Sequence, residues 1–339
     1  MIFKKNKCLI IAEVGQAHDG NLSLAHSYID AIAKTGANAV KFQTHIAEHE
    51  SSKYEKFRIK RKYQKDKNRY DYWKRMEFTQ HEWLGLYNHA KERKLTFISS
   101  PFSIEAAELL NRIGIKVWKV ASGEFYNKPL LDFLVTTKKP ILVSTGMSSF
   151  KEIDAKIKFL KKTMQPKLLF QCTSQYPTSS NNLGLNVIQQ FKKRYKIPVG
   201  FSDHSGQIAS GIAAFVSGAQ AIEVHVTLSK NIFNFDLDSS LDMNELSELV
   251  KGIRYLEGAL AKPSNKDRIS NKMKNIKKNF TTSVIIKHDL KKGDKIKFSD
   301  LSFRKPGYGF PADQYEKLVG KRVKKNLKSG TNIGLNDFK

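Results

Sequence analysis

Eight short apolar runs recur along this chain, at residues 8–14, 39–44, 95–100, 117–122, 140–145, 167–173, 198–203 and 221–227. Each has the length of a strand, and amphipathic stretches of helical period lie between most of them. Residues 22–33 show the pattern, with Leu22, Ala25, Ile29 and Ile32 at spacings of three and four; 104–110, 153–160 and 208–218 read as helices too. Runs that are apolar throughout suit parallel strands covered on both faces. Eight such units in one direction predict an α/β fold of the TIM (β/α)8 barrel type.

What interrupts the apolar pattern is the polar residue at the end of nearly every run: Glu13, Lys41, Gln43, Ser100, Lys119, Ser122, Glu124, Ser144, Thr173, Ser202, His204 and His225. A charge at the end of a buried strand is costly to keep there without a function. In a barrel of this type the C-terminal strand ends face the active site, so the repeated pattern predicts a ring of functional groups. His204 and His225 lie one strand-helix-strand step apart, which puts two imidazoles into one cup, as metal binding or acid-base work requires.

At 339 residues the chain is longer than one barrel needs and leaves room for a second, smaller domain. The expected division is a barrel over 1–262, a charged linker over 263–279 and a small module over 280–339. The module carries β-like stretches at 282–286 and 301–304 and a Gly/Pro-rich loop at 305–311. No apolar stretch reaches the roughly 18 residues of a membrane span. The basic start is followed by an apolar run too short for a signal peptide, and Cys8 and Cys172 both fall in expected strands. These features predict a cytoplasmic protein with two reduced thiols and no membrane partner.

The formal charge of +27 raises the question of nucleic acid. Much of the excess sits in 53–75, where basic residues alternate with aromatics, and in the acid-poor stretch 262–278. Such patches can bind phosphate backbones and stack bases, but most lysine runs are solvated faces, and no nucleic-acid motif accompanies them. A basic mouth that steers small anionic substrates fits better, and no nucleic-acid partner is expected.

The chain resembles the sialic acid synthases almost end to end. The resemblance rests on IAEVGQAHDG at 11–20, VKFQT at 40–44, FISSPF at 97–102, WKVASGE at 118–124, LVSTGM at 142–147 and GFSDH at 200–204. It extends to QCT at 171–173, YPT at 176–178, PGYG at 306–309 and LVGK at 318–321. It implies a TIM barrel followed by an antifreeze-like (SAF, β-clip) domain, which in a homodimer is swapped to cap the partner's barrel. It also implies condensation of phosphoenolpyruvate with an open-chain N-acetylated hexosamine and water, giving a nine-carbon 2-keto sugar acid and phosphate.

Carried onto this sequence, the resemblance makes His204 and His225 the ligands of a divalent metal, Mn²⁺ or Mg²⁺. Lys41 and Lys119 hold phosphoenolpyruvate, with Ser100, Ser122, Ser144 and Ser202 around it. Glu13 handles protons or activates water, while Gln43, Glu124, Tyr176 and Asp236 position substrate. Three departures concern the sugar. Gln175 directly precedes Tyr176, Asp236 lacks the usual preceding Gly-Pro, and the family's Arg-Pro-Gly is here Arg304-Lys305-Pro306-Gly307, so either Arg304 or Lys305 takes the contact. The acceptor implied is N-acetylmannosamine or its 6-phosphate. A legionaminic or pseudaminic acid synthase, using a 6-deoxy di-acetamido hexose, is the alternative within the class. A non-catalytic barrel binding a sugar or nucleic acid is the alternative outside it.

Overall fold

The computed structural model describes residues 7–57, 64–163, 167–262 and 264–339. They divide into two compact units, Met1–Lys262 and Pro263–Lys339. The first six residues, and 58–63 of the basic-aromatic stretch, lie outside the described residues.

In the first unit eight parallel strands pair in sequence order and close, β8 onto β1, into a barrel. In chain order the first elements are β1 (Leu9–Gly15), α1 (Leu22–Thr35), β2 (Ala39–Thr44), α2 (Ala47–Glu50), α3 (Arg69–Met76), α4 (Gln80–Glu92), β3 (Thr96–Pro101) and α5 (Ile104–Arg112). There follow β4 (Trp118–Val120), α6 (Lys128–Thr136), β5 (Ile141–Ser144), α7 (Phe150–Thr163), β6 (Leu168–Cys172) and α8 (Leu185–Tyr195). The barrel ends with β7 (Val199–Asp203), α9 (Ile208–Val216), β8 (Ala221–Val226), a short β9 (Ser240–Leu241) and α10 (Met243–Leu260). Each apolar run therefore forms its strand. β4 is the shortest, because the chain after Val120 leaves the sheet and winds into a 3-10 turn at Gly123–Tyr126, which places Ser122 and Glu124 on a loop.

Alternation along the strands decides what fills the barrel. Leu9, Ile11, Ala39, Ile98, Val117, Leu142, Leu168, Phe170 and Ala221 form one buried apolar cluster inside it. The residues between them, such as Ile10, Val40, Phe42 and Ile222, pack outward against the helices. Two residues further along the inward face the character changes: Ile11 gives way to Glu13, Ala39 to Lys41, Ile98 to Ser100, Val117 to Lys119, Leu142 to Ser144 and Ala221 to Glu223. The period of two that builds the strand also sorts a dry lower layer from a polar upper one. Gly200 lies on this inward face because a Cβ there would stand 2.6 Å from the Phe170 ring.

Side-chain caps start several of the helices. Asn21 accepts from Leu24 N to begin α1, and Thr79 with Glu82 and Asp242 with Glu245 form capping boxes on α4 and α10.

The second unit begins with a helix, α11 (Asn271–Phe280), where a linker is expected. Ser270 caps it, and Met273, Ile276 and Phe280 fall at helical spacing. A three-stranded antiparallel sheet follows, order β11 (Leu301–Arg304), β10 (Ser283–Ile286), β12 (Phe310–Pro311). Its core is Val284, Ile286, Leu290, Ile296, Leu301, Phe310, Leu318, Val323, Leu327, Ile333 and Phe338.

Candidate active site

A cavity of about 910 Å³ opens at the C-terminal strand ends of the barrel. Glu13, Lys41, Gln43, Ser100, Lys119, Ser122, Glu124, Ser144, Tyr176, Ser202, His204, His225 and Asp236 all line it. Register explains the inner group. Glu13 on β1 lies opposite Lys41 on β2 and His225 on β8, and Gln43 lies opposite Ser100.

The floor is an ion network. Lys41 Nζ stands 2.7 Å from Glu13 Oε2 and 3.4 Å from Glu223 Oε1, and Lys119 Nζ stands 3.1 Å from the same Glu223 oxygen. Lys119 also donates to Ser144 Oγ at 2.7 Å, and Ser202 Oγ donates to Glu223 Oε1 at 3.0 Å. All four charged side chains are buried. Burial alone would lower the pKa of Lys41, but the charges of Glu13 and Glu223 outweigh it and the net shift is upward. Lys119 goes the other way: burial dominates, Glu223 offsets part of it, and Lys41 pushes it lower. Burial works to raise the carboxyl of Glu223, yet the two lysines hold it well below the usual carboxylate range. Glu223 is thus the hinge of the floor, and it was not among the residues expected from the sequence. Ser100 Oγ and Glu223 Oε2 find no hydrogen-bond partner among the described residues. The unpaired Ser100 hydroxyl beside two buried ammonium groups offers a donor to a small anion, whereas Glu223 Oε2 can only accept.

The histidines stand beside this floor, with ring centroids 5.4 Å apart. His204 Nδ1 donates to the Thr173 carbonyl at 2.7 Å, which leaves the Nε2 lone pair available, 3.1 Å from the Tyr176 hydroxyl. Burial, with a smaller push from His225, drops the His204 pKa to about 3, so the ring is neutral. His225 Nδ1 lies 3.4 Å from Asp236 Oδ2; burial lowers its pKa, but Asp236 outweighs that and the net shift is upward. With Nδ1 turned to a carbonyl in one ring and to a carboxylate in the other, both histidines are oriented as metal ligands are by their outer partners. No cluster of three or more His, Cys, Asp or Glu able to hold a metal occurs among the described residues. A divalent ion held by these two imidazoles would need water or substrate to complete its shell.

Toward the solvent side, Gln43 Nε2 donates to Glu13 Oε1 at 2.8 Å and Gln16 donates to Gln43 Oε1. His45 is stacked between Trp73 and Phe102 and bonds Glu50 at 2.7 Å. The basic-aromatic stretch enters here through Glu55, Phe57, Arg69, Tyr72 and Trp73. Of the stretch expected to make a basic mouth, Arg69 is the basic residue among the described lining residues, and 58–63 lie outside the described residues. Opposite, Ser122 Oγ accepts from Gly146 N at 3.1 Å and lies 3.2 Å from Cys172 Sγ. A Cβ on Gly146 would stand 2.7 Å from Ser122 Oγ and 2.9 Å from Cys172 Sγ. Arg304 ends β11 and Lys305 follows it, both exposed in the second unit, with the Lys305 ammonium 5.8 Å from the Phe280 ring.

Both cysteines are free and buried. No helix among the described residues is long and apolar enough to cross a membrane.

The chain matches the NeuB family over residues 28–265 and the SAF domain over residues 281–339. It is 35% identical to N,N'-diacetyllegionaminic acid synthase of Campylobacter jejuni over 95% of this chain and 97% of that protein. It is 32% identical to human N-acetylneuraminate-9-phosphate synthase over 94% of this chain and 89% of that protein. The crystal structure of N-acetylneuraminic acid synthetase from Leptospira borgpetersenii, a citrate complex, superposes with a TM-score of 0.71. That match has 29% identity and covers 82% of this chain and 94% of the other.

Proposed function

The chain belongs to the NeuB family, and on that premise we propose that it joins phosphoenolpyruvate to the aldehyde of an open-chain N-acetylated hexosamine. N-acetylmannosamine or a close relative is the acceptor, and the products are a nine-carbon 2-keto sugar acid and phosphate. In this transferase reaction C3 of the enol forms the new bond to the aldehyde carbon, whose oxygen gains a proton. The cationic C2 left behind takes up water, which loses a proton, and the resulting tetrahedral species breaks its C–O bond to phosphate.

One observation carries the reading: two buried ammonium groups, Lys41 and Lys119, share one carboxylate at the bottom of a cavity ringed by serine hydroxyls. Phosphoenolpyruvate is a small, highly charged anion that needs such a floor, with Ser100, Ser122, Ser144 and Ser202 giving neutral hydrogen bonds. Glu13, beside Lys41, is the base for the attacking water, held by Gln43. Tyr176, Glu124 and Asp236 bear on the sugar. When bound at His204 and His225, Mn²⁺ or Mg²⁺ supplies Lewis-acid polarisation of the aldehyde oxygen. The assembly is a cytoplasmic homodimer in which the C-terminal unit is exchanged between subunits, bringing Arg304 or Lys305 to the acceptor.

The diacetyllegionaminic relative supports a 6-deoxy di-acetamido hexose as the second acceptor to test. Purified protein with phosphoenolpyruvate is assayed for phosphate release against a panel of N-acetylated hexosamines, with the product identified by mass. Release with at least one sugar is expected. No release with any of them, with metal present, refutes the reading.

A further inference from the structure

One buried carboxylate in the cavity is used by no step of the condensation. Glu50 ends α2, lines the cavity, and has a side chain only 7% exposed. Its Oε1 accepts from His45 Nδ1 at 2.7 Å, while Oε2 is buried without a hydrogen-bond partner. Such an atom is expensive to leave unmet, and in native sites it commonly waits for a ligand.

The group is also fixed in place. His45 is held on both faces, by Trp73 at 3.9 Å and Phe102 at 4.3 Å between centroids. Its Nε2 lies between Gln16 Nε2 at 3.1 Å and Gln43 Oε1 at 3.3 Å, while Nδ1 faces Glu50 Oε1, which accepts its proton. Gln16 also donates to Gln43, and Gln43 to Glu13, which ties His45 and its partner Glu50 into the bonds around Glu13. The result is an acceptor with no freedom to turn away.

Glu124 faces the same cavity from the loop after β4. Its Oε2 accepts from Asn127 Nδ2 at 2.7 Å, and burial, with a smaller contribution from Glu50, raises its carboxyl above the usual range. Among the described lining residues around α2 and α3 the only cation is Arg69, and it pairs with Glu55 at 2.9 Å. A second dianion placed here would meet Glu50 and Glu124 in a low-dielectric space.

We propose that Glu50, with Glu124, is the acceptor wall for the end of the sugar remote from the aldehyde, and that this end is an uncharged hydroxyl or amide N–H donor, not a phosphate. The inference rests on the proposed condensation and adds the class of acceptor. Two of its consequences are read with the full-length protein, metal and phosphoenolpyruvate. In the wild type, kcat/KM for neutral N-acetylmannosamine or a neutral di-acetamido hexose should exceed that for N-acetylmannosamine 6-phosphate at least tenfold. Glu50→Gln should raise KM for the neutral sugar about ten- to a hundredfold, as loss of a charged acceptor does. It should leave calorimetric binding of phosphoenolpyruvate unchanged, which also certifies the fold.

Turnover of the 6-phosphate as good as or better than the neutral sugar overturns the proposal and leaves the condensation standing. So does a Glu50→Gln protein that loses phosphoenolpyruvate binding together with sugar, which would make Glu50 structural. Absence of both phosphoenolpyruvate binding and turnover in the wild type overturns the condensation itself.

Discussion

Replacing Glu223 by Gln removes the one charge that both floor lysines share while keeping nearly the same shape. Glu223 Oε1 lies 3.1 Å from Lys119 and 3.4 Å from Lys41, and all three groups are buried. Breaking a buried pair by neutralising one partner costs about 3–5 kcal/mol, since the surviving charge stays in low dielectric. Glu13 still balances Lys41 at 2.7 Å, so the loss falls mainly on Lys119, whose charged form burial already disfavours. At about 2–4 °C per kcal/mol for a large domain, melting should fall by roughly 6–20 °C. An anion seated on the lysines restores the lost compensation. Saturating phosphoenolpyruvate should therefore raise the melting temperature of Glu223→Gln more than that of the wild type, and titration calorimetry should show tighter binding by the variant. Differential scanning calorimetry with and without the ligand reads both effects. A variant that melts within 2 °C of the wild type, or that gains no more than the wild type from phosphoenolpyruvate, would refute the shared-carboxylate account.

Lys119→Ala, and separately Lys41→Ala, should weaken phosphoenolpyruvate binding by about ten- to a hundredfold, because each removes a charge-assisted contact worth about 1.5–3 kcal/mol; unchanged calorimetric binding would remove these lysines from the anion site. Exhaustive chelation should abolish phosphate release and Mn²⁺ should restore it, whereas His225→Ala should stay folded by circular dichroism and remain inactive at any metal concentration. His18 is buried against Phe78, and burial drops its pKa to about 3 from an ordinary 6.5. A base whose folded pKa is depressed contributes stability that is complete above pH 6.5 and is lost as pH falls toward 3, because the unfolded chain takes the proton first. His18→Asn, which can still accept from Gly20 N, should flatten the acid slope of urea-measured stability by up to about 1.4 kcal/mol per pH unit; an unchanged slope would refute that role.

Legibility in the sequence followed the range of the interactions. β2 was readable in full, because Ala39 to Thr44 carries its own inward and outward alternation. Lys41, Lys119, His204 and His225 stood out as polar groups at strand ends, and the cavity gathers them. Glu223 did not, although its place two residues before His225 puts it on the same inward face. It sits inside an apolar run, and its partners lie 104 and 182 residues away, at Lys119 and Lys41. Glu50 was hidden for a like reason: what marks it is one unmet oxygen, which only the packing of Trp73 and Phe102 around His45 reveals. The helix α11 was readable from Met273, Ile276 and Phe280 and was masked by the lysines between them.

The dry lower layer of the barrel also imposes an order of events. Leu9, Ile11, Ala39, Ile98, Val117, Leu142, Leu168, Phe170 and Ala221 seal the space beneath the lysines, so nothing charged passes through from below. On the proposed chemistry, a ligand on the floor arrives and departs through the same cavity that holds the sugar. On the proposed chemistry the enol substrate then loads first, and a sugar that arrives early forms a dead-end complex. Excess acceptor should inhibit when phosphoenolpyruvate is scarce, and the inhibition should lift as phosphoenolpyruvate is raised. Phosphate, made at the bottom, leaves after the sugar acid or waits behind it, which makes departure a natural place for the slow step of turnover.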